Sequence, residues 1–393
     1  MKIFIKALNG CVMRRQKIEQ YKKFLIDNWY EIVDSPNKSS IIIVWGCSFR
    51  SDWRDNSLAV INYYVDNFES QYIVVAGCLP SIAPEYIKKN PRVKIIPWKN
   101  DDVMFNDLFS ATRELSLYNE VFAEKRICKN AALFRKRHPG ADVTFHDQFI
   151  KVVIAIGCSF KCSYCSERLA FPKHKSFPEK EIIKKCCDII DETAVYDVML
   201  MADNLGQYGA NIGSNLPNLM YKLIKEQPKI KFALNNFNPI YFLKFKESME
   251  SFIKEGDIKH LNLPIQSASD KILKLMNRPY KVKDLNKIFD TLKELNFKDF
   301  DTHIIVGFPG ETDDDVEKTL KFLLRIKPRY ILASRYMGAN NAPSSSLPNE
   351  VDDVTACNRI KRISNVLNGA SILFNTDGST LSMERLKKLR GIK

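Results

Sequence analysis

Six short apolar runs in the second half of the chain alternate with helical patterns. The segments between them, such as PEKEIIKKCCDIIDE and VKDLNKIFDTLKEL, carry apolar residues at helical spacing. Strands that alternate with helices form parallel sheets, and the functional groups of such folds lie at the carboxyl ends of the strands. Six units do not complete an eight-unit barrel, so the pattern predicts an α/β fold with an incomplete (β/α)6 barrel. The runs are 149–157, 195–202, 229–235, 260–265, 299–308 and 330–337.

The first 120 residues predict a second, smaller α/β domain. Continuous apolar runs at 2–8, 40–46, 71–77 and 93–98 are typical of buried parallel strands, and helical patterns separate them. We expect a Rossmann-like fold here. The predicted domain limits in the 393-residue chain are 1–120 for this domain, 121–148 for a basic linker, 149–348 for the partial barrel and 349–393 for a short helical extension.

Composition excludes membrane-spanning and disulfide-rich classes of protein. No apolar run approaches the roughly 18 residues of a membrane span, and the N-terminus MKIFIKALNG lacks a signal-peptide core. Ten cysteines are too few for a disulfide framework in a chain of this length. We therefore expect a cytoplasmic enzyme with no membrane partner, and the net charge of +14 permits an anionic partner.

Three cysteines follow the first barrel strand in the segment AIGCSFKCSYCSE. Cys158, Cys162 and Cys165 lie on one loop, where their thiolates can converge on a soft metal. A structural zinc site needs a fourth ligand, and the nearest candidate, His174, lies nine residues after Cys165. A four-iron cluster on three cysteines would instead leave one iron open to a small molecule. Spacing alone leaves both kinds of centre open.

Three further cysteines follow the first three strands of the N-terminal domain. Cys11, Cys47 and Cys78 occur in LNGC, VWGC and VAGC. Because the carboxyl ends of parallel strands meet at one edge of a sheet, we expect these thiols to come together there. The remaining cysteines lie in helix-like sequence, and we expect ordinary thiols at Cys128, Cys186, Cys187 and Cys357.

The cysteine loop of the barrel, with Tyr164 before its last cysteine, resembles the cluster motif of the radical S-adenosylmethionine (SAM) enzymes. The resemblance implies a [4Fe–4S] cluster on Cys158, Cys162 and Cys165, whose open iron binds SAM. In that superfamily, reduction of the cluster cleaves SAM to methionine and a 5'-deoxyadenosyl radical, which removes a hydrogen atom from an unreactive carbon. The expected reductant is a flavodoxin or ferredoxin.

The N-terminal cysteines narrow the resemblance to the methylthiotransferases. Cys11, Cys47 and Cys78 are similar to the three ligands of that family's auxiliary [4Fe–4S] cluster, so six cysteines are expected to be catalytic and metal-binding. The resemblance implies that one SAM methylates a sulfur held on the auxiliary cluster and a second SAM supplies the radical. Three barrel segments agree with family motifs in order, namely NLGQYGANIGSNLPNL, LPIQSASDKILKLMNRPY and IIVGFPGETDDD.

The same resemblance assigns groups at the barrel mouth to SAM. Polar side chains end strands two and four, and a Gly-Pro-Gly turn follows strand five, where bare backbone can approach a nucleoside. Turn capping is the alternative role for each of these residues. The candidate cofactor-binding residues are Tyr164, Asp203, Asn204, Gln266, Ser267, Gly307, Pro309 and Gly310.

Several positions depart from the family pattern. Arg14 stands where an Asn is common, Phe171 and Pro172 replace an Arg-Gly pair, and His303 replaces an Asp. The stretch YMGANNAPSS after strand six lacks the family's arginine. The forty or so residues after the barrel are too few for the family's TRAM domain, a small β-barrel that binds the macromolecular substrate.

These departures lead to two hypotheses for the acceptor. The first is methylthiolation of a carbon in a peptide or protein, which the altered mouth and the expected absence of a TRAM domain favour. The second is 2-methylthiolation of a modified tRNA adenosine of the threonylcarbamoyl type. It is favoured by the net charge, by the basic run at 125–138 and by the segments QSASD and NIGSNLP. A third, remote hypothesis is a non-catalytic iron–sulfur or zinc protein.

Overall fold

The computed structural model describes residues 1–8, 12–48, 51–124, 149–171, 173–338, 342–370 and 372–376. Within these ranges the chain forms a five-stranded sheet, an eight-stranded sheet and a two-stranded ribbon, with helices covering the sheets. No helix of the described part has the length and hydrophobicity needed to cross a bilayer. The predicted α/β class, with an N-terminal parallel sheet and a partial barrel, is confirmed.

The N-terminal sheet is entirely parallel and has the strand order β2-β1-β3-β4-β5. Its central strands are apolar and almost fully buried, as continuous apolar runs predict. In this doubly wound order, ligands bind outside the carboxyl ends of β1 and β3, where the chain order reverses. The strands are β1 (Lys2–Ala7), β2 (Glu31–Val33), β3 (Ile41–Gly46), β4 (Tyr72–Gly77) and β5 (Val93–Ile95). The helices are α1 (Val12–Asp27), α2 (Ser51–Asn67), α3 (Leu79–Ile82) and α4 (Asp101–Leu108).

The second sheet contains the six predicted barrel strands and one further strand at each edge, β6 and β15. Its order is β15-β14-β13-β12-β11-β10-β7-β6, and only β6 is antiparallel to its neighbour. The strands after the N-terminal sheet are β6 (Phe122–Glu124), β7 (Ile150–Val153), β8 (Ala155–Ile156), β9 (Lys175–Ser176), β10 (Asp197–Met201), β11 (Lys231–Leu234), β12 (Ile258–Asn262), β13 (Phe300–Val306), β14 (Tyr330–Arg335) and β15 (Leu373–Thr376).

Helices connect the parallel strands and pack on the outside of the sheet. Buried apolar faces such as Leu285, Ile288 and Leu292 meet the outward-facing strand residues in one continuous core. The helices are α5 (Glu167–Ala170), α6 (Glu179–Thr193), α7 (Leu216–Glu226), α8 (Pro239–Lys244), α9 (Lys246–Lys254), α10 (Asp270–Leu275), α11 (Val282–Glu294), α12 (Asp313–Ile326) and α13 (Asp353–Gly369).

The two edge strands correct the expectation for the flanking segments. Strand β6 lies inside the segment predicted as a linker, and the basic run at 125–138 lies outside the described residues. The segment 349–393 was expected to be helical, but after α13 it adds β15 in parallel to β14, with Tyr330 opposite Leu373. Three or four residues are too short a run to show a strand period, and pairing with an existing edge stabilises them instead. The domain limits themselves stay predictions.

Candidate functional site

The loop between β8 and α5 holds the three barrel cysteines. Cys162 is buried, whereas Cys158 and Cys165 are partly exposed. Burial raises the pKa of the Cys158 and Cys165 thiols, and the nearby Cys162 raises the pKa of both further. Without metal the thiols therefore hold their protons, and a bound metal centre would displace them.

His174 is not a fourth ligand of this loop. Its ring nitrogens lie 3.3 Å from the carbonyl oxygen of Gly157 and 3.0 Å from the hydroxyl of Ser176, and burial lowers the pKa of the ring. Among the described residues, no three His, Cys, Asp or Glu side chains are close enough to share one metal ion. In a four-iron cluster each thiolate binds a different iron, so the ligands need not approach as closely as those of a single ion.

Hydrogen-bond donors surround the cysteine sulfurs. The Phe160 N–H and the Asn204 side-chain amide lie 3.4 and 3.5 Å from Cys158 Sγ, and Arg278 Nη1 lies 3.3 Å from Cys162 Sγ. Donors of this kind stabilise the charge of iron-bound thiolates and tune the cluster's reduction potential. The loop therefore fits a [4Fe–4S] cluster held by its three cysteines.

Asn204, predicted to contact SAM, lies directly beside the cysteine loop. Its side chain is buried, and within the described part its carbonyl oxygen has no hydrogen-bond partner. A buried carbonyl oxygen without a donor is costly, so a ligand donor such as the amino group of SAM would stabilise it. Contact of Asn204 with SAM stays a prediction.

Arg278 is a site residue that the motif analysis did not single out. Besides Cys162, it donates to the Tyr164 hydroxyl at 3.1 Å and to the Pro264 carbonyl at 3.1 Å. It thereby ties the cysteine loop to the end of β12. Its sequence signal was its place in the segment MNRPY, within a motif that the chain shares with the family.

Cys47 and Cys78 lie at the ends of neighbouring strands, as predicted. Cys47 and Cys78 are both buried and follow Gly46 and Gly77, which pair in register across β3 and β4. The Cys78 N–H donates to the Gly46 carbonyl at 2.9 Å, and a Cβ on Gly77 would lie 2.6 Å from that oxygen, so this approach requires glycine. Cys11 lies outside the described residues.

Asp203, which is predicted to contact SAM, is hydrogen-bonded to groups of the protein. One carboxylate oxygen accepts from Arg14 Nη2 at 2.7 Å, and the other accepts from the Gly157 N–H at 2.7 Å. Both oxygens thus have protein donors, and the side chain joins the N-terminal helix α1 to the start of the cysteine loop.

The remaining SAM candidates divide between the mouth and the outer helices. Gln266 has a φ of 67° and bridges β13 through its backbone, with its side chain partly exposed. Ser267 is buried, and its hydroxyl accepts from the Ser269 N–H at the start of α10, which is the turn-capping role. Tyr164 is partly buried and packs against the apolar cluster that contains Phe308, and desolvation raises the pKa of its hydroxyl.

The turn after β13 packs against helix α13 on the outside and against the apolar cluster near Tyr164 on the side of the barrel mouth. A Cβ on Gly307 would lie 2.6 Å from the Cβ of Ala356 on α13, so the glycine permits close packing of that helix. The Gly310 N–H donates to the Asn349 carbonyl at 2.8 Å. Contact of Gly307, Pro309 or Gly310 with a nucleoside stays a prediction, and Phe308 belongs to the small apolar cluster against which Tyr164 packs.

His303 lies on the inner face of the barrel. Its Nε2 is 3.1 Å from the Asn262 side-chain nitrogen, which also donates to Asp301. Asp301 Oδ2 in turn lies 3.1 Å from His260 Nε2. The departure from the family's Asp at this position therefore belongs to a polar network inside the barrel.

Two family models match the chain. The model described as the Radical SAM superfamily matches residues 152–323, which hold the cysteine loop and the strands from β10 to β13. A model described as Uncharacterized protein family UPF0004 matches residues 2–96, which hold the N-terminal sheet.

Curated relatives match both domains together. A protein of Pyrococcus horikoshii named "Probable threonylcarbamoyladenosine tRNA methylthiotransferase" is 29% identical over 341 residues, covering 86% of this chain and 77% of that protein. The human protein named "Threonylcarbamoyladenosine tRNA methylthiotransferase" is 27% identical over 356 residues, covering 88% of this chain and 59% of that protein.

Solved structures share the fold at low identity. The radical SAM methyltransferase TsrM from Kitasatospora setae, solved with cobalamin and a [4Fe–4S] cluster, superposes with a TM-score of 0.57 at 10% identity, covering 85% of this chain and 74% of that one. The cobalamin-dependent SAM radical enzyme OxsB superposes with a TM-score of 0.56 at 12% identity, covering 99% of this chain and 60% of that one. The cysteine loops, the two family models and the similarity to named methylthiotransferases together support the radical SAM methylthiotransferase family, whose enzymes use [4Fe–4S] clusters and SAM.

Proposed function

We propose that this enzyme transfers a methylthio group to a tRNA adenosine that carries a threonylcarbamoyl group. The observation that carries the proposal is the similarity, over 86% of the chain, to a protein named for that reaction. Of the two acceptors that the sequence suggests, the tRNA alternative therefore replaces the peptide as the favoured one. The similarity to the family supports the reaction class, which is methylthio transfer. The tRNA adenosine as acceptor is the proposed part.

The residues divide the work between the two domains. Cys158, Cys162 and Cys165 would hold the SAM-binding cluster, and Cys11, Cys47 and Cys78 would hold the auxiliary one. When bound, the clusters supply the electron that cleaves SAM and the sulfur that is methylated and transferred. Asn204 would accept from an N–H of the SAM amino group, while Arg278 holds Cys162 and Tyr164 in place.

A basic face beside the cysteine loop supports an RNA acceptor. A cavity of about 420 Å³ is lined by Lys271, Lys274, Arg278 and Lys281, with Asp270 as the acidic lining residue. The Asn277 side chain at this cavity donates to the Lys161 carbonyl at 2.8 Å, and Lys161 is exposed on the cysteine loop itself. Exposed lysines beside a catalytic loop suit contacts with phosphates.

One sequence argument for a peptide acceptor has another explanation. Phe171, which replaces the family's arginine, does not line the barrel mouth. It is buried in the core of the N-terminal domain, against Trp98 and Arg14. The altered residue therefore belongs to the domain interface and carries no information about the acceptor.

The proposal is tested with anaerobically reconstituted enzyme, SAM, reductant and bulk tRNA from a strain without methylthiotransferases. Mass spectrometry of the digested nucleosides should detect the 2-methylthio form of threonylcarbamoyl-adenosine, with 5'-deoxyadenosine as the coproduct. Enzyme that forms 5'-deoxyadenosine but no methylthio nucleoside on tRNA rich in the substrate would contradict the tRNA proposal and return the peptide acceptor to first place.

Charge reversal on the basic face gives a second arm of the experiment. A variant with Lys274→Glu and Lys281→Glu should lose tRNA modification but keep SAM cleavage, because neither side chain contacts the cysteines. The matched control is a variant with Lys184→Glu and Lys321→Glu, two exposed lysines on the outer helices α6 and α12. Equal loss in both variants would show that total charge, and not this face, governs binding.

A further inference from the structure

Two positions that depart from the family pattern contact each other. Arg14 lies in the first turn of α1, three residues after Cys11, and is 3% exposed. Its guanidinium carbon lies 3.4 Å from the centre of the Phe171 ring, and Trp98 packs edge-on against the same ring at 4.7 Å. A cation from one domain thus stacks on an aromatic ring that follows the cysteine loop of the other.

The same guanidinium pairs with two carboxylates of the barrel domain. It donates to both oxygens of Asp203 at 2.7 and 3.4 Å and to Glu167 at 3.3 Å. Asp203 also accepts from the backbone N–H of Gly157, the residue before the first cysteine of the loop. Glu167 lies two residues after Cys165, the last cysteine of the loop. Arg14 therefore contacts residues at both ends of the cysteine loop.

These contacts require an arginine. The planar guanidinium donates to two carboxylates in its plane while its face covers the Phe171 ring, which the ammonium of lysine does not do. Around it, α3 after Cys78 packs against α5 after the barrel cysteines, and Phe171 is part of the N-terminal core. The cysteine loops of the two domains therefore meet at this interface.

We propose that Arg14 is a positioning residue that fixes the N-terminal cysteine loops against the barrel cysteine loop and so sets the geometry between the two clusters. Cleavage of SAM uses the barrel loop alone, whereas methylthio transfer uses the loops of both domains. The proposal rests on the two-cluster reaction of the family and is independent of which acceptor is used.

Arg14→Gln removes the cation and the guanidinium plane that covers Phe171, and it keeps a polar side chain at this position. It should form 5'-deoxyadenosine at close to the wild-type rate, while methylthio product per 5'-deoxyadenosine falls by about tenfold or more, because small misplacements of reacting groups carry large rate costs. Pulsed electron paramagnetic resonance of the reduced clusters should show a shifted or broadened distance between them, and this readout needs no acceptor.

Arg15→Gln is the matched control. Arg15 lies on the same helix and pairs across the domains with Glu124 of β6, away from the cysteine loops. The Arg15→Gln substitution removes the same charge and one interdomain ion pair. We expect this variant to keep the wild-type coupling, meaning methylthio product per 5'-deoxyadenosine, and the wild-type distance between the clusters. An Arg14→Gln protein whose coupling and distance both match those of Arg15→Gln would overturn the proposal.

The exchange variant Arg14→Asn with Phe171→Arg returns the arginine to the barrel side and should recover part of the coupling lost in Arg14→Gln. If it misfolds, Arg14→Lys takes its place and should lie between wild type and Arg14→Gln in both coupling and distance distribution. Failure of the tRNA proposal would abolish methylthio product in every variant, including wild type, and would leave the distance measurement to decide the role of Arg14.

Discussion

At the scale of single residues, Arg278 brings a positive charge to the sulfur of Cys162. Its guanidinium reaches a sulfur, a phenol and a backbone carbonyl at once. A cation that donates to an iron-bound thiolate stabilises the reduced, more negative form of a cluster. Arg278 should therefore raise the reduction potential and make reduction of the SAM-binding cluster easier.

Arg278→Met should lower the potential of that cluster by on the order of 50 mV and slow SAM cleavage, since a charge-assisted hydrogen bond is lost. A redox titration followed by electron paramagnetic resonance measures the shift. The control Arg325→Met removes an exposed arginine that pairs with Asp290 on the outer helices. A potential unchanged in Arg278→Met would refute this role.

Residue type and position in the sequence predicted where some of the candidate site residues lie, but they did not predict all of the contacts of these residues. The barrel cysteines and Asn204 each follow a strand of the barrel domain, so the sequence could predict that they lie at the same end of the barrel. Asp203 pairs with Arg14, which lies 189 positions away in the chain and which no local pattern specifies, whereas Ser267 accepts from the nearby Ser269 N–H. For Ser267 the structure agrees with turn capping, which the sequence had left as the alternative.

At the scale of elements, the turn between β13 and α12 is held by one buried carboxylate. Glu311 accepts from the Gly307 N–H at 2.7 Å and from Arg359 of α13 at 3.3 Å. Burial raises the pKa of Glu311 to about 7. The Gly307 N–H and Arg359 lower the pKa and so offset part of this rise, whereas the negative charge of Asp315 raises it further. The carboxyl therefore keeps its proton in the folded state at pH values where an unfolded chain has released it.

The free energy of unfolding should fall as pH rises from about 4.5 to 7 and then level off with respect to this group. In that window the folded state binds the proton more tightly than the unfolded state, and the total change is roughly 3 kcal/mol. Glu311→Gln should remove this part of the pH dependence in denaturant titrations. Glu294→Gln, an exposed control on α11, should keep it. Identical pH profiles for the two variants would be inconsistent with a buried proton at Glu311.

The prediction of elements succeeded where patterns were long and failed where they were short. The six barrel strands and the N-terminal strands β1, β3, β4 and β5 coincide with continuous apolar runs, and the structure contains them, whereas the three-residue strand β2 was not predicted. Strands β6 and β15 span three and four residues, and they form because a parallel or antiparallel edge is already present to pair with. A run of this length has no period to detect, so the sequence could not reveal them.

At the scale of the whole molecule, the interface between the two domains brings their cysteine loops together. Arg14, Asp203 and Phe171 connect the start of α1 to both ends of the barrel loop. The sequence identified Arg14 and Phe171 as departures from a family pattern, but only the fold places them in contact. Their meaning therefore changed from altered substrate recognition to a domain contact.

The central claim is that two sets of three cysteines hold two clusters with different tasks, and the cysteine variants test it most directly. Reconstituted wild-type enzyme should bind about eight irons per chain and cleave SAM under reductant. Cys158→Ala should bind about half as much iron and form no 5'-deoxyadenosine.

Cys47→Ala should also lose about half of the iron, but it should still form 5'-deoxyadenosine while transferring no methylthio group. Iron content and 5'-deoxyadenosine measured side by side for wild type and the two variants give the decisive comparison. A wild-type protein that binds a single zinc and forms no 5'-deoxyadenosine, or two variants that fail in the same way, would contradict the assignment of separate tasks to the two cysteine sets.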